Sequence, residues 1–298
     1  MATLYNQQDS NVRRTWALMA IFFCLVIAIG WAVSYYYNSP LILYGAVIFS
    51  LVMNFVSYWW SDKIVLSMAG AKPLEHDQAP EIFHVVENLA ITAGLPTPRI
   101  YLIDDPVPNA FATGRNKEHA VVALTRGLVE RLNKNELEGV IAHELSHIGN
   151  RDILLQTVVV TLVGLISILA DIFTRSLWFG GGSRDNENRG GGLMVVIGIV
   201  LSILSPIGAT LIQLAISRRR EFLADSSGAL LTRYPEGLAS ALQKISSYEQ
   251  PLAHASNATA HLYISNPFGA GAMKGMAKLF ATHPPVEERI QALRNMSF

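Results

Sequence analysis

The sequence predicts a mostly α-helical membrane protein with a small β-sheet, in which two transmembrane helical hairpins carry an α+β domain outside the bilayer. Three observations predict this class. Four long apolar runs punctuate the 298 residues. Apolar residues make up 51% of the chain and charged ones only 15%, and mean hydropathy is +0.31, which is greasier than an ordinary soluble domain of this size. The stretches outside the runs have mixed, charged composition with helix-like and strand-like periods.

Residues 1–14 are polar and end in Arg13-Arg14; Trp16 to Tyr37 follows without a charge, long enough to cross a bilayer. The run exceeds a signal-peptide core and lacks a small-x-small cleavage site. Asn38-Ser39-Pro40 makes a tight turn, and Leu41 to Trp60 forms a second run closed by Tyr58-Trp59-Trp60, an interfacial aromatic belt. Residues 1–60 are therefore a tail and a first hairpin.

Residues 61–152 read as the first part of a globular domain. Pro80 to Ala93 is an amphipathic helix opened by proline and stopped by Gly94; Arg99 to Asp104 and Ala120 to Leu124 are strands. Between them Asn109, Ala110, Phe111 and Ala112, running on to Gly114, suggest an exposed edge strand. A helix from Asn133 to Arg151 closes the segment. Asn133 and Glu136 have capping-box spacing, Leu137, Val140, Ile141, Leu145 and Ile148 give it an apolar face, and Gly149-Asn150 supplies a stop.

Residues 153–216 form the second apolar hairpin: Ile153 to Phe173, a glycine-rich polar link at 180–192, and Leu193 to Ile216. Their polar residues make a buried helical pair the competing reading, and the lengths and the link favour spanning. Residues 217–298 complete the domain, with helices at Arg219–Leu231, Pro235–Ser247 and Val286–Met296. Residues 254–281, rich in Ala, Gly and Met, read as a mobile loop or lid. Four spans place Arg13, Arg14, Lys63, Lys72, Arg151 and Arg218-Arg219-Arg220 on one side. The positive-inside rule makes that side the cytoplasm, with both termini and the Asn133 helix in it.

A formal net charge of zero gives no sign of nucleic-acid binding, and Cys24, the one cysteine, excludes an intramolecular disulfide and any cysteine-based zinc site. A metal must then be held by histidines and carboxylates. His143-Glu144-Leu145-Ser146-His147 supplies such a set. Two histidines one helical turn apart leave the same helix side and can share one metal, and Glu144 beside them can take a proton from a polarised water. The competing reading is a solvated helix face that happens to carry two histidines.

Catalytic zinc takes three protein ligands and leaves one position open. A metzincin would need Gly and His where this chain has Asn150 and Ile153. The only acid in the third run, Asp171, is roughly 25–30 Å away along a spanning helix. Glu221, the first acid after the chain returns, meets His147 at the shared end of the hairpin; a salt bridge to its arginine neighbours is the alternative. Asp225, one turn on, could accept the other N–H of a ligand histidine, or be an ordinary helix-surface acid. His283 could polarise a substrate carbonyl or cap the last helix. Arg289 reads as an ion-pair partner of an acid. His76, His84, His119, His254 and His261 have no spacing partner.

These residues resemble the HtpX-type membrane-integrated zinc metalloproteases, distant relatives of the CaaX prenyl endoproteases. The resemblance covers nearly the whole chain and rests on His143–His147, Asn109–Gly114, Arg218–Asp225 and Thr282-His283-Pro284-Pro285 followed by Glu287, Glu288, Arg289 and Ile290, all in family order. It implies a cytoplasmic gluzincin domain with one Zn2+ per chain held by His143, His147 and Glu221, and with Glu144 as catalytic glutamate. It further implies a bacterial inner-membrane location, membrane-protein substrates cleaved in quality control under heat or envelope stress, and room for other membrane quality-control proteases as partners. The edge strand would bind substrate by strand addition. A CaaX-type prenyl endoprotease is one alternative, weakened because only four apolar runs are present. A non-catalytic membrane zinc-binding scaffold is another, which would have little use for Glu144.

Overall fold

The computed structural model describes residues 4–179, 218–269 and 284–296. The chain opens with two long antiparallel helices, α1 (Leu4–Tyr37) and α2 (Pro40–Trp59). Asn38 turns the chain at a φ of 50°, a left-handed position asparagine tolerates, and Pro40 starts α2 where a missing N–H costs nothing. Asp9–Tyr35 (27 residues) and Pro40–Trp59 (20 residues) are long and apolar enough to span. Only 28% and 11% of their most apolar windows are buried, so Trp31, Leu41, Tyr44, Ile48 and Phe55 point outward as a lipid-facing surface would.

A third long helix, α7 (Asp152–Phe179), contains the whole third apolar run. Ile153, Leu155, Val158, Val159 and Leu162 at its start are buried, packed in part on Leu18, Met19 and Phe22 of α1. The glycine-rich link and the fourth run lie outside the described residues.

The domain between α2 and α7 adds two elements that periodicity does not reveal, a helix α3 (Ser61–Met68) and a three-residue strand β1 (Ala71–Pro73). After them come α4 (Pro80–Ala93), β2 (Arg99–Ile103), β3 (Ala110–Thr113), β4 (Val121–Thr125), α5 (Arg126–Arg131) and α6 (Lys134–Gly149). The sheet order is β1-β2-β4-β3. β1 runs antiparallel to β2, β2 parallel to β4 with Arg99 opposite Val121, and β3 antiparallel to β4 with Ala110 opposite Leu124. Central β4 is buried throughout, as a strand covered on both faces must be. Alternate side chains divide between two cores. Ala110, Ala112, Val122 and Leu124 meet α4 and α6, whereas Phe111, Val121 and Ala123 meet Val65, Leu262 and Tyr263.

Beyond the undescribed stretch, α8 (Arg218–Thr232) and α9 (Pro235–Ser246) pack on α6, and α10 (Val286–Arg294) packs on both. Two expectations change here. β3 is an edge in sheet order but is buried along its length, because residues following Ser256 fold across it and the Ile264 amide pairs with the Ala110 carbonyl at 2.9 Å. The described part of the expected lid is therefore wall: Ala258 to Ile264 are buried. Residues 270–281 of that stretch lie outside the described residues.

Candidate active site

α6 forms where the sequence sets it. The Asn133 side chain accepts from the Glu136 amide (3.0 Å) while Glu136 accepts from the Asn133 amide (2.9 Å), closing a capping box. The same Glu136 carboxylate takes Ser240 Oγ and Lys244 Nζ, both at 2.7 Å, so the cap also fastens α6 to α9. Gly139 makes that approach feasible, since a Cβ there would lie 2.6 Å from the Leu238 nitrogen. The His143, Glu144 and His147 side chains are consequently buried, at 0%, 1% and 5% exposure.

α8 brings the third group. Gly228 lies so close to α6 that an added Cβ would be 2.9 Å from the His143 nitrogen. Two turns earlier, Glu221 Oε1 sits 3.7 Å from His147 Nε2. The two Nε2 atoms are 3.2 Å apart, and one donor atom from each of His143, His147 and Glu221 lies within 4.8 Å of the others. Each Nδ1 meets an acid: His143 Nδ1 is 2.9 Å from Asp225 Oδ1, and His147 Nδ1 is 3.1 Å from Asp152 Oδ2. The His147 contact has hydrogen-bond geometry, whereas His143 Nδ1 is near Asp225 without it, and the two Nε2 atoms face one another in a buried space.

That donor set fits zinc. Two nitrogens at about 2.0–2.1 Å from a tetrahedral metal lie about 3.3 Å apart, close to the separation seen here. A carboxylate lies beside the second ring nitrogen of each histidine, an arrangement that favours the metal-binding tautomer.

The electrostatics are those of a buried cluster rich in carboxylates. Burial pushes the Glu144 carboxyl up to about 7. Neither of its oxygens has a hydrogen-bond partner of ordinary geometry among the described residues. Burial would pull His147 down, but Asp152, Glu221 and Glu144 raise it to about 9; burial holds His143 below the ordinary imidazole value despite Asp225. Asp225 is raised by burial and more strongly lowered by Arg289 and His143, to about 2.

Of the residues singled out from sequence, His143, Glu144, His147, Glu221 and Asp225 converge. Asn109 to Ala112 lie on β3 and its approach; Asn109 Nδ2 donates to the Ser265 carbonyl at 3.0 Å, and the Ala112 amide approaches Glu144 closely enough to lower its pKa somewhat. His283 lies outside the described residues. Asp152 went unrecognised as part of the site, and Arg289, expected as an ion-pair partner of an acid, proves to be one within the site itself. Asp152, an acid five residues past His147, was hidden at the mouth of the apolar run. Arg289 is 2% exposed and forks onto Asp225 through Nε and Nη2 at 2.8 and 2.7 Å, donating Nη1 to the Ile264 carbonyl at 2.9 Å. Its place after Glu287 and Glu288 in an otherwise polar, helix-like stretch gives no sign in the sequence that this arginine is buried.

Apolar helices next to a buried His-Glu-x-x-His and glutamate set define a membrane zinc metalloprotease. Residues 76–297 match peptidase family M48. A protease HtpX homolog of Caldanaerobacter subterraneus is 46% identical over 300 residues, covering 99% of this chain and 98% of its own. One of Pyrococcus furiosus is 49% identical, covering 95% of each. The crystal structure of S. mikatae Ste24p shares the fold, with a TM-score of 0.51 and 18% identity over 98% of this chain and 67% of that one. The chain belongs to peptidase family M48, in its HtpX-type branch.

Proposed function

We propose that the protein is a multi-pass inner-membrane gluzincin, with both termini and its active site in the cytoplasm, that cleaves cytoplasmic or juxtamembrane segments of misfolded or damaged membrane proteins. The observation that carries this reading is the contact of His147 with Asp152, the first residue of α7. A metal ligand is thereby joined directly to the start of a long apolar helix, so the site lies at the level where a membrane protein's chain emerges. Division into a first hairpin (1–60), a domain interrupted by a second hairpin (61–152 and 217–298, around 153–216) and a role in heat or envelope stress complete the proposal.

In this reading His143 Nε2, His147 Nε2 and a Glu221 oxygen would hold the zinc. When bound, zinc supplies a Lewis acid that acidifies a water and polarises the scissile carbonyl. Glu144 accepts the proton of the attacking water and passes it to the leaving amine nitrogen; its buried carboxyl faces the side of the site that holds both histidines. Asp225 and Asp152 keep the imidazoles in their ligating tautomers, and His283 would steady the carbonyl oxygen. Substrate would add to β3 at Ala112, beside Glu144, because Ala110 is already paired with Ile264.

The test compares wild type with Glu144→Gln, both purified in detergent with zinc, for self-cleavage and casein proteolysis. Loss of at least about a hundredfold in rate with zinc retained is expected; equal rates would refute the hydrolytic assignment. Zinc content undiminished in Glu221→Ala would remove Glu221 from the ligand set.

A further inference from the structure

Asn11 belongs to α1, near the start of the stretch Asp9–Tyr35 that is apolar enough to span. Its 2% exposure is unusual for an asparagine. Its single amide nitrogen is engaged twice, donating to Asp152 Oδ1 at 2.7 Å and to the Asn150 carbonyl at 3.2 Å. Asn150 follows the last turn of α6, where carbonyls lack helical partners. Asp152 is wholly buried. Its other oxygen accepts from His147 Nδ1 at 3.1 Å, and Arg220 Nη1 lies 4.0 Å from the oxygen that Asn11 holds. A continuous path of hydrogen bonds thus runs from α1 through Asp152 to the imidazole whose Nε2 faces His143.

We propose that Asn11 is a positioning residue of the metal site: it fixes the Asp152 carboxylate, and through it the tautomer and direction of the His147 ring. The membrane helix α1 is then a structural part of the zinc centre as well as a tether. The chemistry is particular to an amide. Two N–H groups are needed, one for a carbonyl and one for a carboxylate, at a position too buried for water to substitute. Serine keeps one donor, alanine none, and aspartate sets a second negative charge against Asp152. The inference rests on the proposed ligand set, in which His147 binds the metal.

The experiment uses the full chain in detergent, in a Glu144→Gln background to prevent self-cleavage. Zinc affinity is measured by chelator competition, and the visible absorption of the cobalt-loaded protein reports ligand geometry. Substitution of groups behind a ligand histidine typically weakens metal binding about 10–100-fold. Asn11→Ala is expected near the lower end of that range, Asn11→Ser between it and the parent, and Asn11→Asp weakest. The cobalt band should shift in the same order. Combining Asn11→Ala with Asp152→Asn should weaken binding no further than Asp152→Asn alone, because both act along one path. Parent-like affinity and spectrum in Asn11→Asp, or strict additivity in the double variant, overturns the inference. His147→Ala separates the two levels. If it keeps parental zinc affinity, the ligand set itself is wrong; if it loses zinc while the Asn11 variants keep it, only the role of Asn11 fails.

Discussion

Replacing Arg289 with methionine should be among the most damaging single changes in the domain. The side chain is 2% exposed. It makes two short bonds to Asp225, at 2.8 and 2.7 Å, and one to the Ile264 carbonyl at 2.9 Å, and its Nη1 lies 3.7 Å from Glu221 Oε2. Methionine fills much of the volume but strands a buried carboxylate. Removing one member of such a pair costs about 3–5 kcal/mol, and the Ile264 carbonyl adds about 1 kcal/mol. At about 2–4 °C per kcal/mol for a domain of this size, the melting midpoint should fall by roughly 10–20 °C. Thermal unfolding of purified protein in detergent, with zinc content measured alongside, is the assay. Arg289→Met combined with Asp225→Leu should be less destabilised than the two single changes summed, since the stranded charge is gone. A midpoint for Arg289→Met within about 2 °C of wild type would refute the reasoning.

Gly228→Ala tests the approach of α8 to α6. Alanine in a helix interior ordinarily stabilises by about 1 kcal/mol over glycine, but here its Cβ would meet the His143 nitrogen at 2.9 Å and the His143 Cα at 3.2 Å. A loss of about 1–3 kcal/mol is expected instead, with weaker zinc retention as Glu221 moves with its helix; a stabilised, zinc-replete variant would contradict this. The metal-free protein should also lose stability as pH rises from about 6.5 to about 9. Glu144, raised to about 7 from 4.5, favours the fold less once it must ionise. His147, raised to about 9 from 6.5, contributes stability fully present below 6.5 and lost as pH climbs through 9. Zinc-loaded protein should not follow this trend, because ligation needs the neutral imidazole. Melting curves at pH 6 and pH 9 with and without metal decide the matter, and parallel behaviour would count against the assignment.

What was legible in the sequence was local. The capping box of Asn133 and Glu136, the left-handed stop at Gly94 (φ 65°) and the facing of His143 and His147 are each set within a few residues, and single-residue chemistry suffices to see them. Glu221 came from a longer inference, that a hairpin returns to where it began. Asp152 lies only five residues from His147 but reads as the edge of an apolar run, and Asn11 is tied to it by a bond 141 residues long in sequence that no local pattern shows. Periodicity also places apolar β3 at an edge without seeing that the segment around Ile264 covers it. The described part of the Ala- and Gly-rich stretch after His254 looked mobile for the same reason: small residues lack a periodic pattern whether they move or fill tight space.

The arrangement also explains why so many charges tolerate burial. Glu144, Asp152, Glu221 and Asp225 are buried together with Arg220 and Arg289. With neutral histidines, those four carboxylates and two guanidiniums leave two negative charges in a region where an unbalanced charge is costly. Without metal, the raised affinities of Glu144 and His147 for protons are the protein's own means of restoring balance. In the proposed ligand set, a divalent cation held by His143, His147 and Glu221 would restore it without either proton, and Glu144 would then be free to ionise. On that proposal, zinc loading and ionisation of Glu144 would be coupled through charge. The coupling depends on elements from both ends of the chain: Asp152 is held by α1, Asp225 by α10, and α6 supplies the two histidines between them.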